Sequence, residues 1–269
     1  MAWRAIVHSA IGTRHQQKQL PCQDYGNYLV QADTIIGAVS DGAGSAKFSD
    51  VGSKLAVKTA LAILESRQED WSAVDLDTIH AEAPSLFTEM VEAVVTALRS
   101  QAESGEYPLR ELGCTLLGFI STPHWLACMQ IGDGFIVTQA QQTAPESSET
   151  EPVPSFDLLF EPVKGEYINE TVFVTSDNAV EHMQIAVRAD HHPFVCAATD
   201  GLEKVAIRFQ DWQAFPPFFK PFLDCLRSIS DPEERQTYLE MFLESDRLNA
   251  KTDDDKTLLL CLFRPEADE

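Results

Sequence analysis

The hydrophobic positions of this chain fall mainly in short continuous runs, separated by glycine, aspartate and other turn-forming residues. Runs of this length that are rich in Ile, Val, Leu and Phe are typical of β-strands. The sequence predicts strands at residues 2–7, 28–31, 34–40, 114–121, 125–131, 135–139, 171–175, 184–187, 194–199 and 257–263.

Other segments show the spacing of a helix. Apolar residues recur three and four positions apart within residues 49–66 and again within about 85–103. A third helix is predicted to begin after Asp231, because Asp231-Pro232-Glu233-Glu234 supplies an N-cap, a proline at the first helical position and acidic residues in the first turn. We expect this helix to bury Tyr238, Leu239, Phe242 and Leu243.

Two connecting segments have distinct chemistry. Gly132-Asp133-Gly134 separates two predicted strands, and its turn-forming residues predict a hairpin with Asp133 at the tip. Residues 140–154 are polar and acidic without periodicity, so we interpret them as a surface loop and not as a linker between domains. We therefore expect residues 1–269 to form one domain, which their length permits.

The charge of the chain limits its partners. It has 42 acidic and 20 basic residues, a formal net charge of −22, which disfavours nucleic acid and anionic membranes as partners. The six cysteines include no CxxC pair, and most lie in apolar segments, so they are interpreted as reduced and structural. The N-terminus has no long apolar stretch, and no run of about 18 apolar residues occurs, so we expect a cytoplasmic protein.

Aspartates recur at places where a predicted strand meets a turn. Strand ends can direct several carboxylates toward one point, and carboxylates in close contact need protons or cations to offset their repulsion. Oxygen ligands favour magnesium, manganese or calcium over zinc. The sequence therefore predicts a metal site built from Gln23-Asp24, Asp41-Gly42, Asp200-Gly201 and Asp254-Asp255.

These aspartates belong to a larger ordered set of short segments. The set resembles the motifs of the type-2C family of metal-dependent serine/threonine phosphatases (PPM-type), and it spans nearly the whole chain. The segments are Pro21-Cys22-Gln23-Asp24, residues 38–45, Gly113-Cys114-Thr115-Leu116, residues 130–134, residues 198–202 and Asp254-Asp255-Lys256-Thr257. The resemblance implies an α+β fold of two packed antiparallel β-sheets flanked by helices on both outer faces.

The resemblance also implies two divalent cations, Mn²⁺ or Mg²⁺, and in some members a third, weaker one. Asp41 would bridge the two ions, with the Gly42 carbonyl and Gln23 as ligands beside it. Asp24 would act through metal-bound water. Asp200 and Asp254 would hold the second ion. Asp133 together with Asp200 would hold the third.

Three positions depart from the family pattern. Gln23 stands where a more acidic ligand is often found, which should weaken metal affinity modestly. Family members usually carry an arginine close to the first acidic motif that clamps the phosphate. Here Arg14 lies ten positions before Asp24, a longer spacing than the common form. Arg14 is the first candidate for catalysis and substrate binding and Lys18 is the second, although either could equally be a solvated surface charge. Ala43 stands where many members have a histidine that protonates the leaving oxygen. That proton would come from a metal-bound water or from His15 or His8.

The function implied is removal of phosphate from phosphoserine and phosphothreonine of proteins by attack of metal-activated water. One alternative is an inactive phosphatase-like module that binds a phosphoprotein or a regulatory partner, which the absent histidine and displaced arginine favour and the retained aspartates disfavour. The other is a hydrolase of small phosphoesters. The acidic surface favours a protein substrate over a small polyanion.

Overall fold

The computed structural model describes residues 3–67, 71, 73–139, 154–160, 171–189 and 192–264. The predicted acidic loop at 140–154 lies outside these residues except for Pro154. The strands are β1 (Trp3–Ala10), β2 (Tyr25–Gln31), β3 (Thr34–Ser40), β4 (Leu116–Ser121), β5 (Trp125–Ile131), β6 (Phe135–Gln139), β7 (Phe156–Leu158), β8 (Gln184–Ala189), β9 (Phe194–Ala198), β10 (Ile207–Arg208), β11 (Gln213–Ala214) and β12 (Lys256–Phe263).

The helices lie mainly in the long connections between these strands. They are α1 (Thr13–Lys18), α2 (Ser49–Ser66), α3 (Leu76–Ser104), α4 (Glu203–Ala206), α5 (Pro216–Ser228), α6 (Pro232–Leu243) and α7 (Asp246–Asn249), with short 3₁₀ turns at Leu109–Leu112 and Asp200–Leu202. Among the described residues, no helix is both long enough and apolar enough to cross a membrane.

The strands of the described residues form two five-stranded antiparallel sheets and a small ribbon. One sheet has the order β1-β12-β9-β6-β7 and the other the order β2-β3-β4-β5-β8, while β10 pairs with β11. Helices α2 and α3 pack on the outer face of the second sheet, and α5 and α6 pack on the outer face of the first. The fold class predicted from the sequence is therefore confirmed.

Three apolar layers hold these elements together. The central layer lies between the two sheets and includes Ile35, Phe119 and Leu259, which are fully buried. Each outer layer joins one sheet to its helices, through residues such as Phe87 on α3 and Phe219 on α5. The inner strands of the second sheet, β3, β4 and β5, are covered on both faces. Their residues therefore form continuous hydrophobic runs in the sequence.

The predicted hairpin at Asp133 is wrong. Strand β5 pairs with β4 and β8, whereas β6 pairs with β7 and β9, so Gly132-Asp133-Gly134 crosses from one sheet to the other. Gly132 has a φ of 111°, and a Cβ on Gly134 would lie 2.6 Å from the Ala198 carbonyl oxygen. The glycines thus allow the backbone to pass close to β9, and Asp133 lies beside the end of that strand.

Three other predictions also need correction. Helix α3 begins at Leu76 and not near residue 85, because the Asp75 side chain caps it by accepting a bond from the Thr78 amide (2.8 Å) and the helix continues through Pro84. Residues 171–175 form no strand, although the Val174 amide does donate to the Cys114 carbonyl (2.8 Å). Tyr238, expected to be buried, is 38% exposed.

Candidate metal centre

Three aspartates meet at one end of the interface between the sheets. Asp41 follows β3 of one sheet, Asp200 follows β9 of the other, and Asp133 lies on the crossing between them. Each offers a carboxylate oxygen, and these three oxygens lie within 4.8 Å of one another. Carboxylates brought this close by two rigid sheets form a set of oxygen ligands of the kind that binds Mg²⁺ or Mn²⁺.

Asp24 lies beneath this cluster, beside Asp41, and is buried. Its Oδ2 accepts a hydrogen bond from the Thr199 hydroxyl at 2.6 Å, but its Oδ1 is buried with no hydrogen-bond partner among the described residues. Burial, with a smaller contribution from the Asp255 charge, raises the pKa of Asp24 to about 8. A buried carboxylate oxygen without a donor is costly unless a proton or a cation satisfies it.

The neighbouring carboxyls show the same effect. Burial raises the pKa of Asp41 well above its ordinary value, and the charges of Asp24 and Asp200 raise it further. Burial and the charge of Asp133 raise the pKa of Asp200 to about 6. The Gln23 side-chain oxygen is also buried without a partner among the described residues. These unsatisfied oxygens and mutually repelling charges fit one or more divalent cations.

The last two aspartates of Asp253-Asp254-Asp255 have different environments. Asp254 is partly exposed and pairs with Arg14, whose Nη2 lies 2.6 Å from Oδ1. Asp255 is buried and accepts hydrogen bonds from the amides of Gly12 and Gln23 (both 2.6 Å) and from His15 Nδ1 (2.9 Å). Asp255 therefore fixes the segment that carries Arg14 and His15 against the start of β12.

The loops that carry Asp200 and Asp254 pack tightly against each other and against the N-terminal segment. A Cβ on Gly201 would lie 1.9 Å from the Asp255 carbonyl oxygen, and one on Gly12 would lie 2.3 Å from the Asp254 carbonyl carbon. Glycine is needed at both positions because the backbones are in contact there. This packing sets the position of the Asp254 side chain relative to Asp200.

A cavity of about 170 Å³ opens over the cluster. Most of the site residues predicted from the sequence line this cavity. Asp24 lies below it, and Lys18 is exposed at the end of α1. Ala43 also lines the cavity. The lining residues of functional interest are Arg14, His15, Gln23, Asp41, Gly42, Asp133, Asp200 and Asp254.

Sequence reasoning gave no supporting role to three residues that hold or adjoin the site. Thr199 holds Asp24, and Asp255 holds His15. Glu203 lies near Asp200, and burial together with the Asp200 charge raises its pKa to about 7. Asp255 was named with Asp254 in the predicted metal site, and Thr199 lies in the segment at residues 198–202, but neither pattern reveals which side chains point inward.

Comparison with known proteins agrees with this geometry. The profile of the family described as "Protein phosphatase 2C" matches residues 11–244. The chain belongs to the protein phosphatase 2C family. It is 33% identical over 270 residues to serine/threonine-protein phosphatase 3 of Escherichia coli K12, and the match covers 98% of this chain and 99% of that protein.

Solved structures show the same fold at low sequence identity. The serine/threonine phosphatase of S. agalactiae has a TM-score of 0.62 and 14% identity, and the match covers 97% of this chain and 99% of that one. The catalytic domain of the serine/threonine protein phosphatase PstP, in complex with two manganese ions, has a TM-score of 0.56 and 15% identity, with 98% and 99% covered.

We predict that Asp24 destabilises the metal-free protein as pH rises. Its carboxyl has a pKa near 3.8 when unfolded and about 8 when folded, so the folded state retains a proton that the unfolded state has lost. Its contribution to the free energy of unfolding should therefore fall between pH 4 and 8, by at most about 1.4 kcal/mol per pH unit. Asp24→Asn should flatten this decline relative to wild type in urea titrations with chelator.

The control for this prediction is Asp157→Asn on the exposed face of β7, which should leave the pH dependence unchanged. Added Mn²⁺ should raise the stability of wild type more than that of Asp24→Asn. Parallel pH curves for wild type and Asp24→Asn would contradict the raised pKa.

Proposed function

We propose that this chain is a divalent-cation-dependent phosphatase that removes phosphate from phosphoserine and phosphothreonine of proteins. The observation that carries the proposal is the approach of Asp41, Asp133 and Asp200 to within 4.8 Å, above a buried Asp24 oxygen with no partner among the described residues. Membership of the protein phosphatase 2C family and the name of the E. coli relative support the same reaction.

Asp41, Asp200 and Asp254 would hold two cations, with Gly42 beside Asp41 and with Asp24 acting from below. PstP, with its two manganese ions, supports Mn²⁺ as one suitable metal, and Mg²⁺ suits the same oxygen ligands. Asp133 beside Asp200 offers a place for a third ion. Bound cations supply a water nucleophile of lowered pKa and neutralise phosphoryl oxygens.

Arg14 would bind the phosphate group. Its guanidinium lines the cavity, and its side chain is 42% exposed although it pairs with Asp254. A planar guanidinium can donate two parallel bonds to phosphate oxygens. On binding substrate, Arg14 would exchange its bond to Asp254 for bonds to the phosphate oxygens. The exposed position of Lys18 makes it the weaker candidate for this role.

His15 would supply the proton that the leaving oxygen needs. In the hydrolysis, a water oxygen bonds to phosphorus while the bond from phosphorus to the serine or threonine oxygen breaks. His15 lines the cavity, and its Nδ1 is bonded to buried Asp255, which leaves Nε2 as the nitrogen that can donate to that oxygen. The carboxylate stabilises the protonated imidazole and fixes its orientation. His15 would thus replace the histidine absent at Ala43.

The alternative is a phosphatase-like module that binds a phosphoprotein without hydrolysing it. The observations that favour it are Ala43 in the cavity and the pairing of Arg14 with Asp254. A module without activity would still bear the electrostatic cost of crowding buried carboxylates, which only bound cations or protons offset.

Asp41→Asn should abolish turnover of a phosphothreonine peptide with Mn²⁺, by roughly 10³-fold or more, because the cluster loses the carboxylate that follows β3. The measurement is phosphate release with and without Mn²⁺, and Asp157→Asn is the matched control. Wild type that binds Mn²⁺ tightly and releases no phosphate would favour the binding module instead.

Arg14→Ala should raise the KM for the phosphothreonine peptide about tenfold, since one charged hydrogen bond is worth about 1.5–3 kcal/mol. Lys18→Ala should leave both KM and kcat within twofold of wild type. The reverse ranking, in steady-state kinetics, would assign the phosphate contact to Lys18.

His15→Asn should lower kcat for the phosphothreonine peptide by roughly 10²-fold, the usual scale for a general acid. Turnover of p-nitrophenyl phosphate should change little, because nitrophenolate leaves without a proton. His8→Asn, which removes a histidine that pairs with Glu240 and Glu244, is the control. Equal losses on both substrates would mean that His15 acts only through the structure around Asp255.

A further inference from the structure

A second and larger cavity lies away from the metal centre, between α5, α6 and α7. Its volume is about 800 Å³, and we call it the α5–α6 groove. It is lined by Lys204, Val205, Ile207, Arg208, Phe215, Pro217, Phe218, Pro221, Phe222, Tyr238, Phe242, Ser245, Arg247, Leu248 and Lys251.

The walls of the groove are aromatic. Phe218, Phe222 and Phe242 contact one another edge to face, and Tyr238 contacts Phe222 in the same way. Phe215 and Tyr238 remain 39% and 38% exposed at its edge. A preformed surface of rigid aromatic rings that are left partly in contact with water is typical of sites that bind another protein.

The charged residues of the groove all have the same sign. Among the described residues that line it, Lys204, Arg208, Arg247 and Lys251 are basic and none is acidic, in a chain with twice as many acidic as basic residues. Arg208 pairs with Asp211. Within the described part of the chain, Lys204, Arg247 and Lys251 have no carboxylate within ion-pair distance.

We propose that the α5–α6 groove binds an acidic segment of a partner protein that carries large apolar side chains. The apolar side chains would pack among the aromatic walls, while the carboxylates would pair with Lys204, Arg247 and Lys251. The occupant is a separate segment and not an anionic membrane, since the site is concave and the whole chain carries a charge of −22, which repels an extended anionic surface.

The groove shares two chain segments with the metal centre. Lys204 follows Asp200 by four residues, and Lys251 precedes Asp254 by three. A partner held in the groove therefore lies next to the segments that position both aspartates. The groove would bind its partner whether or not the protein hydrolyses phosphate, because none of the lining residues belongs to the metal cluster.

The test is selection from a phage library of random peptides of about twelve residues on the immobilised full chain. We expect enriched peptides to combine several Asp or Glu residues with at least two Phe, Trp or Leu residues. A labelled synthetic copy of one enriched peptide is then titrated by fluorescence anisotropy. Its affinity should fall at least tenfold for Arg247→Glu with Lys251→Glu, and also for Phe215→Ala, and it should weaken as salt rises.

The matched control is Lys58→Glu with Arg99→Glu, which makes the same charge change on exposed positions of α2 and α3. It should retain wild-type affinity, and thermal unfolding checks that every variant is folded. Enrichment of neutral or basic peptides, no enrichment at all, or an equal loss in the control would overturn the proposal. So would groove-dependent binding to phosphatidylserine vesicles alone, or a dimer of wild type that Arg247→Glu with Lys251→Glu dissociates.

Discussion

The two sheets hold several carboxylates close together at their junction. The repulsion among these carboxylates is the constraint that the rest of the structure must overcome. Asp41 ends a strand of one sheet and Asp200 ends a strand of the other, so the packing of the sheets sets their separation. The pKa values of Asp24, Asp41 and Asp200 are all raised, chiefly by burial. The apolar layer between the sheets must hold these groups together against their charges until cations or protons bind.

Asp255 shows how the fold places one more carboxylate close to this cluster without the same cost. Three donors satisfy it, two of them backbone amides. Its neighbour Asp254 is instead partly exposed and pairs with Arg14. Two adjacent residues with opposite environments therefore serve different purposes: Asp255 fixes the backbone of the N-terminal segment, and Asp254 offers its oxygens to the cavity.

Much of the fold could be predicted from the sequence because its strands are short hydrophobic runs with clear ends; the predicted bounds of β3, β5 and β6 agree with the structure. The connection at Asp133 was misread because Gly-Asp-Gly describes a local turn, whereas the pairing of β6 with β9 depends on residues about 60 positions away. Helix α3 was predicted too short because the prediction rested on the apolar spacing within about residues 85–103. The helix nevertheless continues through Pro84, since a helix held by packing tolerates the loss of one hydrogen bond.

The candidate site was predictable as a set of residues but not as a geometry. The order of the motifs identified Asp41, Asp133 and Asp200, which the structure brings together. The partners of Asp24 and His15, namely Thr199 and Asp255, could not be identified because each contact joins residues at least 175 positions apart. The spacing of Arg14 from Asp24 is also explained by the fold, since helix α1 occupies part of that interval and returns the chain toward the cavity.

The metal centre and the α5–α6 groove differ in the sign of the charge that they present. The metal centre concentrates aspartates that attract cations, and the surrounding charge of −22 strengthens that attraction at low ionic strength. The α5–α6 groove presents basic side chains within the same acidic field, so an acidic partner is attracted only over a short distance and must be selected by contact. Since long-range charge cannot guide such a partner to the groove, the aromatic walls must supply most of its affinity, and the basic residues must supply its orientation.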